Sequence, residues 1–327
     1  MTTPVLSFAA RLERARAGAT HEVREAVLDG LRSSPRTLPP WLFYDRMGAW
    51  LFERICELDE YYLTRAELEI LAVRAPEIAT LIGPSCAFIE YSSGAGRKIR
   101  FLLDAAERPA AYLPVDISRE QLKRVAAQIA AAYPDIRVAP VCADYAARLR
   151  IPPMRRATRR VAFFPGSTIG NFHPPEAIAF LQRVRHAIGA TGALILGVDR
   201  RKPAAILDAA YNDATGVTAA FNMNLLARLN RELHATFHPW RFRHRAFFNH
   251  EASRVEMHLE STTDQVVYVA DEPIGFERGE TIRTECSYKY DRERLVELVG
   301  AAGFAIERLW SDADDRFWVA FLTVATD

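Results

Sequence analysis

The apolar positions along the middle of the chain fall into short continuous runs separated by stretches of helical spacing. The run Ala87 to Ile89 closes on a carboxylate, Glu90, and small residues follow through Gly94 and Gly96. Ile99, Leu102 and Leu103 then recur at helical intervals, so the stretch opening at Cys86 predicts a buried parallel strand, a tight turn and a helix start. The same order repeats downstream. Ala111 to Val115 ends at Asp116, Ser118-Arg-Glu-Gln121 has the form of a capping box, and Leu122, Val125 and Ile129 share a helix face. Further runs are Ile136 to Cys142, Val161 to Phe164 and Ala193 to Val198, which lead into Asp144-Tyr145, Pro165-Gly166 and Asp199. Strands alternating with helical patterns predict βαβ units and a parallel sheet.

The flanks read differently. Residues 5–33 place Leu12, Val23, Val27, Leu28 and Leu31 at helical spacing, with basic residues between them as a solvated face. Ser33-Ser-Pro-Arg-Thr-Leu-Pro-Pro40 is a connector rich in breakers. Tyr44 follows it, then a short helix carrying Trp50, Leu51, Phe52 and Ile55, then Tyr61 and Tyr62. Such a density of aromatics fits either a substrate-facing segment or an ordinary core. A helix from Thr64 to Ile82 leads into the first strand. Beyond Asp199, residues 202–288 interrupt the pattern with one long helix, Ala204 to Leu233, and strands at Val255–Leu259, Gln265–Ala270 and Thr281–Lys289. A helix, Asp291 to Val299, and two runs, Phe304–Trp310 and Phe317–Thr323, then supply a β-hairpin that completes the sheet. The expected division is a sheet domain of residues 65–201 and 289–327, with a second domain of residues 1–64 and 202–288.

Composition narrows the classes. A chain of 327 residues holds one large domain or two modest ones, and its net charge of +1 gives no global field to recruit nucleic acid or a membrane surface. Cys56, Cys86, Cys142 and Cys286 are scattered with no C-x-x-C pair and no secretory leader is read, so reduced thiols and a cytoplasmic location are expected. No apolar run reaches the roughly 20 residues of a membrane helix. There is no His-Glu-x-x-His, and His234, His238, His244 and His250 read as surface residues, so no metal is expected. A monomer is the default expectation.

Polar or glycine-rich groups at the C-terminal ends of four parallel strands meet in one crevice, the place where open α/β sheets bind nucleosides. Gly94 and Gly96 let a ligand approach bare backbone. Asp116 suits ribose hydroxyls, and Asp144 with Tyr145 suits an adenine amine and ring. A dinucleotide fingerprint needs a third glycine where this chain has Arg97-Lys98-Ile99. That gap and the terminal hairpin favour S-adenosylmethionine (SAM) over NAD, with a nicotinamide-dependent oxidoreductase as the rival reading. Glu285 and Ser287, two apart, share one strand face, either as a recognition pair for a ligand bearing N–H groups or as an exposed face.

Six stretches stand out: Leu38-Pro-Pro-Trp-Leu-Phe-Tyr44, Glu60-Tyr-Tyr-Leu-Thr-Arg-Ala-Glu67, Gly166-Ser-Thr-Ile-Gly-Asn171, Tyr211 to Asn222 with its long and unusual Gly216-Val-Thr-Ala-Ala-Phe-Asn222, Arg254-Val-Glu-Met257 and Gly279 to Lys289. On them, over nearly its whole length, the chain resembles the SAM-dependent histidine-specific methyltransferases of ergothioneine biosynthesis. The resemblance implies a class I SAM-dependent methyltransferase domain, Rossmann-like and mostly parallel with a terminal antiparallel hairpin, plus a smaller α+β substrate-binding domain. It implies three successive methylations of the histidine α-amine to hercynine; a SAM-dependent N-methyltransferase of another amino acid or amine is the alternative. Glu285 and Ser287 would hold the imidazole, with Met257 and Tyr61 shaping its pocket. Asn171 and Tyr211 would bind the α-carboxylate, and Tyr44 and the backbone at Gly166 would guide the amine, which makes Tyr44, Gly166 and Asn171 the catalytic positions. Lys98, Asp116, Asp144 and Tyr145 would hold SAM together with Glu90, Ser92 and Gly94 of the turn. One departure is visible: the family pattern Glu-Leu-Gly-Ser-Gly is here Glu90-Tyr-Ser-Ser-Gly94, with Ser92 in place of the glycine that approaches the methionine part of SAM.

Overall fold

The computed structural model describes residues 21–116, 119–143, 151–154 and 156–325. Leu12, Ser118, Asp144 and Tyr145 therefore lie outside the described residues. Along the chain the elements are α1 (21–32), β1 (Arg36–Thr37), α2 (Arg46–Ile55), α3 (Tyr62–Ile82), β2 (Cys86–Tyr91), α4 (Lys98–Ala105), β3 (Ala111–Asp116) and α5 (Arg119–Ala132). Next come β4 (Arg137–Val138), β5 (Val141–Cys142), β6 (Arg159–Phe164), α6 (Pro174–Ile188), β7 (Ala193–Asp199), α7 (Ala204–Tyr211) and α8 (Val217–Leu233). The remainder are β8 (Phe242–Asn249), β9 (Arg254–Ser261), β10 (Gln265–Val269), β11 (Glu272–Phe276), β12 (Thr281–Tyr288), α9 (Arg292–Ala301), β13 (Phe304–Ser311) and β14 (Phe317–Val324). They form two compact units. The larger comprises Tyr61–Ile206, Asn249–Val255 and the chain from Cys286 onward; the smaller comprises the chain up to Glu60, Leu207–Phe248 and Glu256–Glu285.

The larger unit is built on an eight-stranded sheet of order β13-β14-β7-β6-β2-β3-β4, with β5 also pairing β3. Strands β2 to β7 pair in parallel, and β14 runs antiparallel to both β7 and β13. This is the Rossmann-like sheet with a terminal antiparallel hairpin expected of a class I methyltransferase. Every residue of β2 and β7 is buried, because helices on both faces of a parallel sheet leave no solvated side and the strands read as unbroken apolar runs. On one face Ile89, Leu113, Phe164 and Leu196 pack in a core with Phe180 and Val184 of α6 and Leu295 and Val299 of α9.

In the smaller unit Phe43 stacks on Phe221 of α8, with ring centroids 4.4 Å apart. Most of a second sheet, of order β1-β12-β9-β8, belongs here, and β10 and β11 form a separate two-stranded ribbon.

Several elements depart from expectation. The strand expected over Ile136–Cys142 is two short pieces, β4 and β5, because Pro140 between them has no N–H to give the ladder. The helix expected over Ala204–Leu233 breaks between Tyr211 and Val217: Gly216 takes a left-handed φ of 77°, and the Asp213 carboxylate accepts from Val217 N at 2.9 Å and Thr218 N at 2.8 Å. That is a helix N-terminus capped from within the chain. Strands β8 and β11 form where no strand was expected. Cys56, Cys86, Cys142 and Cys286 are thiols rather than disulfides. Among the described residues no helix is long and apolar enough to cross a membrane.

Candidate active site

In the larger unit the ends of β2, β3, β6 and β7 deliver the polar groups. After Tyr91 the chain turns sharply, with Ser92, Gly94 and Gly96 at φ of 57°, 49° and 65°. Gly96 is required, since a Cβ there would lie 2.6 Å from Cγ1 of Val125 on α5. Around Gly94 a Cβ would meet nothing of the described residues nearer than 3.9 Å. Gly94 N donates to Asp116 Oδ2 at 3.3 Å. Ser93 is buried, and its hydroxyl has no partner among the described residues. Glu90 is buried beneath the turn and accepts from the Tyr112 hydroxyl. Burial pushes its carboxyl up to about 8; Tyr112 and Lys98 oppose that rise, and the charges of Asp116 and Glu67 add to it.

Glu67 on α3 is a second node. Wholly buried, it accepts from Gly166 N at 3.0 and 2.9 Å and pairs with Lys98 Nζ at 2.5 Å. One carboxylate thus ties the helix after the glycine turn to the loop after β6. In that loop Gly166 and Ser167 have left-handed φ of 78° and 56°, and a 3-10 turn spans Thr168–Asn171. Gly170 lies against β12, where a Cβ would come 2.8 Å from Tyr288 O.

The third node is Asp199, at the end of β7. It accepts from the Tyr62 hydroxyl at 2.8 and 2.9 Å, Lys202 Nζ at 2.5 Å and Lys289 Nζ at 2.7 Å, while its own N–H donates to Ser167 Oγ at 2.9 Å. Lys289, with no side-chain exposure, also donates to Ser287 Oγ at 2.9 Å. Burial alone would raise the Asp199 carboxyl, but Lys289 and Lys202 outweigh it and hold the group below the usual carboxylate range. Burial draws Lys202 down to about 8 against the pull of Asp199. Tyr61 is buried just ahead of α3.

Other candidate residues belong to the smaller unit. Tyr44 ends a 3-10 turn, more than a third exposed, edge-on to Phe52 at 5.9 Å and Phe221 at 6.3 Å. Tyr211 is buried at the end of α7, Met257 is buried in β9, and Glu285 is half-buried on β12. His244 corrects the surface reading made from sequence. It is half-buried, its ring bonds Asn222 Nδ2 and the Tyr211 carbonyl at 2.9 Å each, and burial lowers its pKa. His234, His238 and His250 are exposed.

Sequence reasoning gave no role to Glu67, Tyr62, Lys202 or Lys289. Glu67 did carry a signal, since it lies on the helical stripe of Leu63, Ile70 and Leu71, all buried, where a carboxylate needs partners.

Residues 23–324 match the family described as histidine-specific methyltransferase, SAM-dependent. The chain belongs to that family. It is 40% identical over 305 residues to a histidine N-alpha-methyltransferase of Mycolicibacterium smegmatis, covering 91% of this chain and 94% of that protein. It is 38% identical over 300 residues to a histidine N-alpha-methyltransferase of Mycobacterium tuberculosis, covering 90% and 92%. It is 32% identical over 291 residues to ergothioneine biosynthesis protein 1 of Neurospora crassa, covering 86% of this chain and 31% of that one.

The family's co-substrate is SAM, and the larger unit of this methyltransferase fits it. Among the described residues Gly94 leaves backbone uncovered and Ser93 offers a buried hydroxyl without a partner, and the Asp116 carboxylate stands at the end of the neighbouring strand. Among the described residues no group of three or more His, Cys, Asp or Glu is placed to hold a metal ion.

Proposed function

We propose that this protein transfers methyl groups from SAM to the α-amine of L-histidine three times in succession, giving hercynine, the first step toward ergothioneine. The observation that carries this reading is 40% identity to a histidine N-alpha-methyltransferase across nearly the full length of both chains, within a histidine-specific family. Bound SAM supplies an electrophilic methyl group on a sulfonium. The chain must hold a neutral amine in line with that methyl, so positioning carries most of the acceleration.

Glu285 and Ser287 take the imidazole, with Met257 and Tyr61 around it. Asn171 and Tyr211 take the α-carboxylate, and Tyr44 and the Gly166 backbone orient the amine. A tyrosine hydroxyl or water accepts the proton that the amine releases between transfers. Glu90, Ser92, Gly94, Lys98, Asp116, Asp144 and Tyr145 hold SAM. Residues 65–201 and 289–327 form the SAM-binding domain, and residues 1–64 and 202–288 the substrate-binding domain. The enzyme works in the cytoplasm as a monomer on a small molecule, without nucleic acid.

Mass spectrometry of the purified protein incubated with SAM and a mixture of the common amino acids tests the reading. Histidine alone is expected to gain up to three methyl groups. Methylation of another amino acid in its place would overturn the substrate assignment and leave the SAM chemistry standing.

A further inference from the structure

Lys289 is buried completely, and its ammonium pairs with the equally buried Asp199 carboxylate. An ammonium withdrawn from water is costly unless it is paired and hydrogen-bonded. Its backbone is held on both sides: Lys289 N donates to Ser253 O at 2.8 Å, and Ser253 Oγ donates to Lys289 O at 3.0 Å. Its Nζ donates to Asp199 Oδ2 at 2.7 Å and to Ser287 Oγ at 2.9 Å. Asp199 is itself anchored by Lys202 and Tyr62.

We propose that Lys289 is a specificity-determining positioning residue, which sets the Ser287 hydroxyl as a hydrogen-bond donor to an unprotonated ring nitrogen of the substrate. The inference rests on the assignment of Ser287 to the imidazole. An ammonium has donors and no acceptor, so Ser287 Oγ must accept from it and the hydroxyl hydrogen cannot point back at Lys289. Accepting a charge-assisted bond polarises the O–H, making it a stronger donor and a poorer acceptor elsewhere. Glu285, two residues earlier on the same strand face, supplies the opposite polarity, because an ionised carboxylate only accepts. Together they read one ring N–H and one bare nitrogen, a neutral imidazole in a single tautomer. A ring with C–H at the second position, or with N–H at both, leaves the hydroxyl mismatched.

The test compares the wild type, Ser287→Ala, Lys289→Met and the double variant. The readout is kcat/KM for L-histidine against pyrrol-2-ylalanine and pyrrol-3-ylalanine, in which one or the other ring nitrogen becomes C–H. The wild type is expected to prefer histidine over the better analogue by about tenfold or more, the worth of one polarised hydrogen bond. Each single variant is expected to shrink that preference, and Lys289→Met should add nothing in the Ser287→Ala background. A lysine that merely supports the fold would lower kcat/KM equally for all three substrates, and that result overturns the proposal.

Nitrogen-15 NMR of ring-labelled histidine bound to the wild type decides the same point should Lys289→Met not fold. One protonated and one unprotonated nitrogen, without tautomeric averaging, is expected; two protonated nitrogens overturn the proposal. Failure of the wild type to methylate histidine would remove the function reading and the inference together. Methylation with an unchanged preference in Lys289→Met would remove the inference alone.

Discussion

Replacing Glu90 by Gln should change how stability depends on pH far more than it changes the fold. Glu90 is buried against the Tyr112 hydroxyl and keeps its proton to about pH 8, whereas the unfolded chain releases it near the ordinary value of 4.5. Between those values the unfolded chain binds fewer protons than the fold, so stability falls as pH rises. The contribution of the neutral carboxyl is complete below pH 4.5 and is lost as pH climbs through about 8. At about 1.4 kcal/mol per pH unit the loss amounts to about 5 kcal/mol, as much as a whole marginal domain possesses. Gln keeps the shape and an oxygen for Tyr112 but cannot ionise, so any cost of its amide is a constant offset. Urea unfolding of both proteins without SAM, at intervals from pH 5 to pH 8, should show the Gln variant gaining on the wild type by several kcal/mol as pH rises. Curves that stay parallel across that range would refute the reasoning. Because a cationic ligand favours the ionised carboxylate, SAM should also bind the wild type more tightly toward pH 8, a trend the Gln variant should lack.

Glu67→Ala strands Gly166 N and the Lys98 ammonium; about 3–5 kcal/mol of stability should go, with weaker SAM affinity by calorimetry. Asp213→Ala removes the cap of α8 and should cost about 1–2 kcal/mol in urea. Burial raises the Asp213 carboxyl, but hydrogen bonds from Thr215, Thr218 and Val217 bring it to about 2. The benefit of that carboxylate is therefore present above pH 3.8 and lost as pH falls through about 2, where the two proteins should converge. Gly170→Ala drives a methyl group toward the Tyr288 backbone; about 1–3 kcal/mol should be lost, read as a lower thermal midpoint.

The central strands were legible because burial on both faces writes them as unbroken apolar runs, as in Ala87–Ile89 and Ala193–Val198. The glycine turn was legible for a related reason: Gly96 has no room for a side chain. Elements at margins were not. In β11 the sequence Glu-Pro-Ile-Gly-Phe carries two strand breakers that a two-stranded ribbon tolerates. In β8 the charged residues Arg243 and Arg245 masked the inward turn of His244. The site divides in the same way. Candidate positions at strand ends follow from local pattern, whereas the partners of Glu67 and Asp199 come from segments that only the fold brings together, Lys98 with Gly166 and Lys202 with Lys289.

The position of β14 has a consequence for how the protein is made. This strand is inserted between β7 and β13, so Leu196 on β7 pairs with Ala320. During synthesis β7 emerges long before its neighbour exists, and every one of its residues is one that the finished fold buries. Until Phe317–Val324 arrives, β7 has an open hydrogen-bonding edge of the kind that templates misassembly. Pairings so distant in sequence fold slowly and leave apolar intermediates exposed. The nascent chain should therefore depend on chaperones until the hairpin has been released from the ribosome.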